Sequence, residues 1–233
     1  MTKKINYFFQ SILIYLFFLI GRTLGITLGR KVFSNLFLIL GPLLKSKKVI
    51  EKNLDIFSQT ISNTQKNIII KNMWKNYGMT FIEYVFLNQY RQKNSHIKIN
   101  GEMNLSDSIK KNEPVIFVSG HFANFELMSM EITKKKMNLA TIYRPLNNFF
   151  LNPFMEYLRK KYVCKNQIKK GIKGVREAIN YIKKKHSIAL MIDQRVSEGI
   201  KSNFFGNQAL TTTLPAQLAI KFNLSIIPVF IER

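Results

Sequence analysis

The stretch "VSGHFANFELMSM" (118–130) places His121 between two apolar runs, with an acid, Glu126, five positions on. On a continuous helix that gap turns the two side chains about 140° apart. They can meet only if His121 precedes the helix, on a strand-to-helix turn. Gly120 permits such a turn and Asn124 can cap the helix. Glu126, in the first turn, then folds back toward the imidazole. That is a general base with an orienting carboxylate. No side-chain nucleophile accompanies it, so a substrate hydroxyl is the natural attacker. The plainer reading is a histidine that caps a helix and does no chemistry.

The dyad needs a strand before it and a helix after it, and the flanking sequence supplies both. "PVIFVSG" (114–120) is short, apolar and β-branched, and reads as a buried strand. A helix is expected over 124–136, then a strand at "NLATIYRP" (138–145) stopped by Pro145. Helices follow at "NPFMEYLRKKY" and at 173–185, the latter with Val175, Ala178, Ile179 and Ile182 on one face. "SIALMID" (187–193) is another buried strand, 213–223 a helix, and 224–232 a last strand that Pro228 demotes to an edge or a bulge. Alternating strands and helices predict an α/β fold, a sheet with helices on both faces. The chain stops at Arg233, straight after a strand, which predicts an incomplete or shortened chain.

Upstream, "INYFFQSILIYLFFLI" (5–20) is almost wholly apolar, with Lys3 and Lys4 before it and Arg22 after. At about 1.5 Å per residue it is marginal for a hydrocarbon core of about 30 Å. A cleaved signal peptide fits less well, because the sequence downstream stays apolar and no clean cleavage site precedes a polar start. The expectation is a retained anchor, spanning or half-embedded. A second, interfacial segment follows at 24–44, with Arg30 and Lys31 snorkelling and Pro42 near its end. The division is therefore 1–44 anchor and interfacial segment, 45–113 a helical region with a short strand at "HIKI" (96–99), and 114–233 the α/β core.

Net charge is +23, spread along the chain rather than gathered in one arm. No nucleic-acid motif with the required spacing is present, so an anionic membrane or an acidic protein partner fits the charge better. The single cysteine, Cys164, and the 3 histidines argue against a disulfide framework and against a metal site.

The order of blocks resembles the lysophospholipid acyltransferase superfamily, in the form of the lipid A late acyltransferases, the lauroyl and myristoyl transferases of lipopolysaccharide synthesis. H-x-x-x-x-E at 121–126 matches the first block and "YRPLNN" (143–148) the second. "MIDQRVSEGIKSNFFG" (191–206) matches the third, and the stretch from "TTTLPAQLAIKF" to "IIPVFIER" the fourth. The resemblance covers nearly the whole chain. It implies a glycerolipid-acyltransferase-like mixed sheet flanked by helices, with an N-terminal membrane-anchor helix. It also implies transfer of a fatty acyl chain from an acyl carrier protein or CoA thioester to a hydroxyl of an anionic lipid A precursor. No metal and no further cofactor are needed. The place implied is the bacterial inner membrane, with the site on its cytoplasmic side.

Under that resemblance His121 takes the hydroxyl proton and Glu126 holds His121. Arg144, at a strand end before Pro145, can meet a phosphate or the developing oxyanion. Asp193 and Gln194, ending another strand on the same edge, are candidate acceptor-binding groups, as is Asn124. Lys201 can meet phosphate and Phe205 can line an acyl channel. The motifs do not separate lipid A from another glycolipid or membrane lipid as acceptor. A non-catalytic membrane-bound module of the same fold would be expected to lose His121 or Glu126.

Overall fold

The apolar run "IFVS", Ile116–Ser119 (β1), is buried at every position and lies inside a sheet, which a strand with two covered faces requires. A computed structural model of the protein describes residues 2–92, 97–103, 113–194, 196 and 199–233. Beyond β1 come α5 (Glu126–Lys134), β2 (Leu139–Tyr143), α6 (Asn152–Leu158) and a π-helical turn, Arg159–Val163. Then follow β3 (Asn166–Lys169), α7 (Ile172–Lys183) and β4 (Ser187–Met191). After β5 (Ile200–Phe204) and β6 (Asn207–Thr211), α8 (Leu214–Phe222) and β7 (Ile226–Pro228) close the order. Five strands form one sheet in the order β3-β2-β4-β1-β7, and its pairings are parallel.

β1 and β4 are neighbours in register Ser119↔Met191, so their C-terminal ends deliver residues 120–121 and 192–193 to one spot. Ile116, Val118, Ile188 and Leu190 share a core with Ile182 of α7 and Leu218 of α8. Phe117 and Ala189 alternate to the other face and are also buried. Pro228 ends β7, an edge strand, where its missing N–H costs no ladder bond.

Three expectations change. No strand forms at 97–99, and His96 lies outside the described residues. β3, "NQIK", is an edge strand whose one buried residue, Ile168, gives little apolar signal. Residues 200–211, to which the sequence reading gives no strand, form the hairpin β5–β6, turned by Phe205 and Gly206, both at positive φ as a type I′ turn requires. Arg195, Ser197 and Glu198 of that block lie outside the described residues.

Contacts group the chain into two units. One holds the residues up to Ser11, Leu87–Gly199 and Thr211–Arg233; the other holds Ile12–Phe86 and Ile200–Leu210. The second unit is built on α1 (Thr2–Leu44), which begins in the first unit, with α2 (Lys47–Phe57) and α3 (Asn63–Glu83). A 3-10 turn (Tyr84–Phe86) and α4 (Leu87–Arg91) then lead back to the first unit.

The helix α1 breaks at Gly25 (φ 75, ψ 169) and folds back on itself. Phe17 meets Phe33 with ring centroids 5.8 Å apart, and a Cβ on Gly29 would lie 3.4 Å from the Gly21 carbonyl. Both contacts join residues equidistant from Gly25. Each arm, 2–24 and 26–44, is about 34 and 28 Å long at 1.5 Å per residue. α3 lies along the second arm: Gly41 faces Trp74, Gly78 faces Phe33 and Phe37, and Gly29 faces Ile82. Pro42 does not stop the arm, which runs two residues further. Nor does Arg30 snorkel. Its Nε donates to Glu83 Oε1 at 2.6 Å, and the Glu83 side chain is 1 % exposed.

Candidate active site

The site stands at the C-terminal edge of the sheet, where β1 and β4 end side by side. His121 lies off the helix, and α5 begins at Glu126, although the two side chains do not pair. Gly120 does not supply the turn's left-handed residue; Ala123 does, at φ 41. Gly120 is needed for space. A Cβ there would sit 2.7 Å from the Phe122 ring and 3.2 Å from Asp193 Oδ2. The N-cap position belongs to Phe125 rather than Asn124. Asn124 is buried, and its backbone carbonyl accepts the Leu127 N–H at 3.0 Å. As a candidate substrate group it is out of reach of solvent.

The carboxylate on His121 is that of Asp193, not Glu126. Asp193 Oδ1 is 2.7 Å from His121 Nδ1, and Asp193 Oδ2 accepts the His121 backbone N–H at 2.7 Å. One carboxylate thus clamps both the ring and the main chain of the base. Gln194 Nε2 lies 3.3 Å from His121 Nε2. With Nδ1–H donated to Asp193, Nε2 is the basic nitrogen, and it receives the Gln194 amide. The His121 and Asp193 side chains are 33 % and 38 % exposed, so the base is open to a substrate.

Glu126 turns elsewhere. The Phe125 ring stands edge-on to the imidazole at 4.6 Å. Glu126 Oε1 instead accepts from Arg159 Nε at 2.7 Å and Nη2 at 2.6 Å, with both side chains almost fully buried. Sequence reasoning passed over Arg159. Its one signal was a cation among the apolar positions of "NPFMEYLRKKYV".

Arg159 also stacks over the Tyr143 ring at 5.6 Å. The Tyr143 hydroxyl donates to Glu156 Oε1 at 2.6 Å, and Asn152 Nδ2 donates to the same oxygen at 2.8 Å. Burial, and then the bond to the Glu156 carboxylate, push the Tyr143 hydroxyl pKa well up, so it stays protonated and donating. For Glu156, burial alone would raise the pKa. The bonds from Tyr143 and Asn152 and the charge of Lys169 outweigh it and hold the carboxyl below its ordinary value. Asn152 Oδ1 accepts the Leu146 N–H at 2.8 Å. The backbone is thereby fixed on both sides of Arg144, which is exposed directly after β2.

Lys201 and Phe205 belong to the second unit. Lys201 is exposed on β5, and the Phe205 ring meets Phe57 of α2 at 5.1 Å and Phe204 at 4.5 Å. His121, Asp193 and Gln194 are therefore the site residues that direct contacts bring together. An exposed imidazole held by a carboxylate, its far nitrogen met by the Gln194 amide, can take a proton from a hydroxyl that displaces that amide and return it to a leaving group. The family described as bacterial lipid A biosynthesis acyltransferase matches residues 2–233 of the chain. A search of curated proteins gives no match.

Proposed function

The chain belongs to the bacterial lipid A biosynthesis acyltransferase family, and from that premise we propose that it moves a fatty acyl chain from an acyl carrier protein or CoA thioester to a hydroxyl of a lipid A precursor. The carrying observation is the His121–Asp193 clamp, with His121 Nε2 left as the open, basic nitrogen. The acceptor hydroxyl takes the place now held by the Gln194 amide and gives its proton to Nε2. Its oxygen bonds to the thioester carbonyl carbon. When the carbon–sulfur bond breaks, Nε2–H returns the proton to the departing thiolate, leaving an ester and a free thiol. Asp193 holds the ring and stabilises the imidazolium between the two transfers. Arg144, exposed on a braced strand end, meets the oxyanion or a substrate phosphate. Glu126 supports this site at one remove, through Arg159.

On this reading the enzyme works at the cytoplasmic face of the bacterial inner membrane. The +23 charge favours an acidic carrier protein and an anionic acceptor. Neither a metal nor a bound cofactor has a role in these steps. The full chain, expressed in a host deficient in one late acylation, should add one acyl chain to its lipid A by mass spectrometry. His121→Ala should not. Unchanged lipid A with the wild-type chain would remove lipid A as the acceptor.

A further inference from the structure

The turn at Gly25 changes what the apolar N-terminus can be. We propose that α1 is a monotopic hairpin, laid into one leaflet of an anionic phospholipid bilayer, with its start, its tip and its end on the same side. The inference rests on the membrane-bound reading above and gives it a topology.

Either arm is long enough to span, at about 34 and 28 Å, so length does not decide. The contacts do. At its start, the first arm is fastened to the α/β unit. Asn148 Nδ2 donates to the Tyr7 carbonyl at 2.8 Å, and the Phe8 and Phe150 rings meet at 5.5 Å. At its far end, Arg22 Nη1 donates to the Val85 carbonyl at 3.1 Å and the guanidinium stacks on Phe86 at 5.4 Å. Leu87, the next residue, already belongs to the α/β unit. The far end of the arm is thus held by residues of its own unit, beside the segment 84–86 that leads the chain back to Leu87.

The second arm decides the side. α3 runs along it from Trp74, at Gly41, to Ile82, at Gly29. A spanning arm would carry α3 across with it, along with exposed Lys71, Asn72 and Lys75. Near the tip, Arg30 is held by Glu83 and Lys31 is exposed, a poor tip for the bilayer centre. The rest of the hairpin is just as unsuited to water. Ile12, Leu16, Leu19, Leu28, Ile39 and Leu43 are 47–81 % exposed. Lysines 3, 4, 31, 45, 47 and 48 flank this surface and carry no counter-charge beyond Lys47–Glu51 among the described residues. Apolar area edged by cations is the pattern of an interfacial anchor on anionic lipid.

The test places single cysteines at Lys4, Thr23, Thr27 and Lys48 in a full-length Cys164→Ser background, and probes sealed membrane vesicles of either orientation with an impermeant maleimide. All four should label in one orientation and not in the other. Thr23→Cys and Thr27→Cys flank the turn, so they must agree. Labelling of those two from the opposite side to Lys4→Cys, or from neither side, overturns the hairpin topology and leaves membrane binding standing. Cosedimentation with vesicles of phosphatidylethanolamine and phosphatidylglycerol tests the premise separately. A chain that stays in the supernatant, alone or as a dimer closed over the apolar surface, overturns both.

Discussion

Two carboxylate pairings in the α/β unit begin a few residues apart in sequence, at His121 and Glu126, and serve opposite ends. His121–Asp193 is 2.7 Å long with side chains 33 % and 38 % exposed. Glu126–Arg159 is 2.6 Å long with side chains 8 % and 10 % exposed. The open pair leaves its far nitrogen, met by the Gln194 amide, within reach of a substrate. The closed pair has both charges out of water, so each depends on the other as its partner. It ties the first turn of α5 to the π turn that follows α6. A five-residue step from His121 to Glu126 thus crosses from an exposed pair to a buried one.

The strongest way to break this comparison is to remove the base. His121→Ala should lower kcat by roughly 10³- to 10⁴-fold, the scale of a lost general base, with Tm unchanged. A variant that keeps full activity would leave the open pair without a chemical role. Asp193→Asn comes next. Asparagine cannot accept from both the ring and the main chain of His121, so the tautomer and the ring orientation are lost. We expect kcat to fall on the order of 10²-fold, again without loss of stability.

The closed pair should answer in the other currency. Glu126→Ala and Arg159→Ala each leave a buried charge alone and should destabilise by about 3–5 kcal/mol. Removing both should cost clearly less than the sum, which a double-mutant cycle in urea would measure. Glu126→Gln should retain kcat per folded molecule. If Glu126→Gln and Asp193→Asn lose kcat equally at unchanged Tm, Glu126 belongs to the dyad after all.

The fate of Glu126 marks the limit of what the sequence could say. β1 and β4 were legible, because "VIFVS" and "SIALM" are apolar runs bounded by turn residues. The turn that carries His121 was legible from the apolar strand before it and the helix after it, while the spacing to Glu126 pointed to a contact that does not form. Which acid reaches His121 was not legible, because Asp193 is 72 residues away and meets it only through the order β4-β1 in the sheet. Periodicity reports faces of elements and is silent on which strands are neighbours. β3 and the β5–β6 hairpin escaped for another reason: their residues are mostly polar and their strands sit at an edge or outside the main sheet. The fold-back of α1 did leave a trace, in the even spacing of Gly21, Gly25 and Gly29. Gly25 takes the positive φ, while Gly21 and Gly29 let the arms and Ile82 approach. Apolar composition alone cannot tell such a hairpin from one long span.

The smallest effect sharpens the same contrast between open and closed groups, and it reads out in pH. Glu156 is folded with its carboxyl below the ordinary value of 4.5, held there against burial by Tyr143, Asn152 and Lys169. A depressed carboxyl stabilises the fold above its unfolded pKa, and that contribution is lost as pH falls through the folded value. Glu156→Gln keeps the shape and an acceptor for Tyr143 but removes the charge. At neutral pH it should cost about 1 kcal/mol, since Lys169 is largely in solvent and the remaining bonds are retained in weaker form. The gap between variant and wild type should narrow as pH drops below 4.5 and close once the native carboxyl is protonated. Thermal melts of both chains from pH 7 downward would follow it. A gap that stays constant into acid would mean that Glu156 acts through shape alone, and that the strand end carrying Arg144 is braced without its charge.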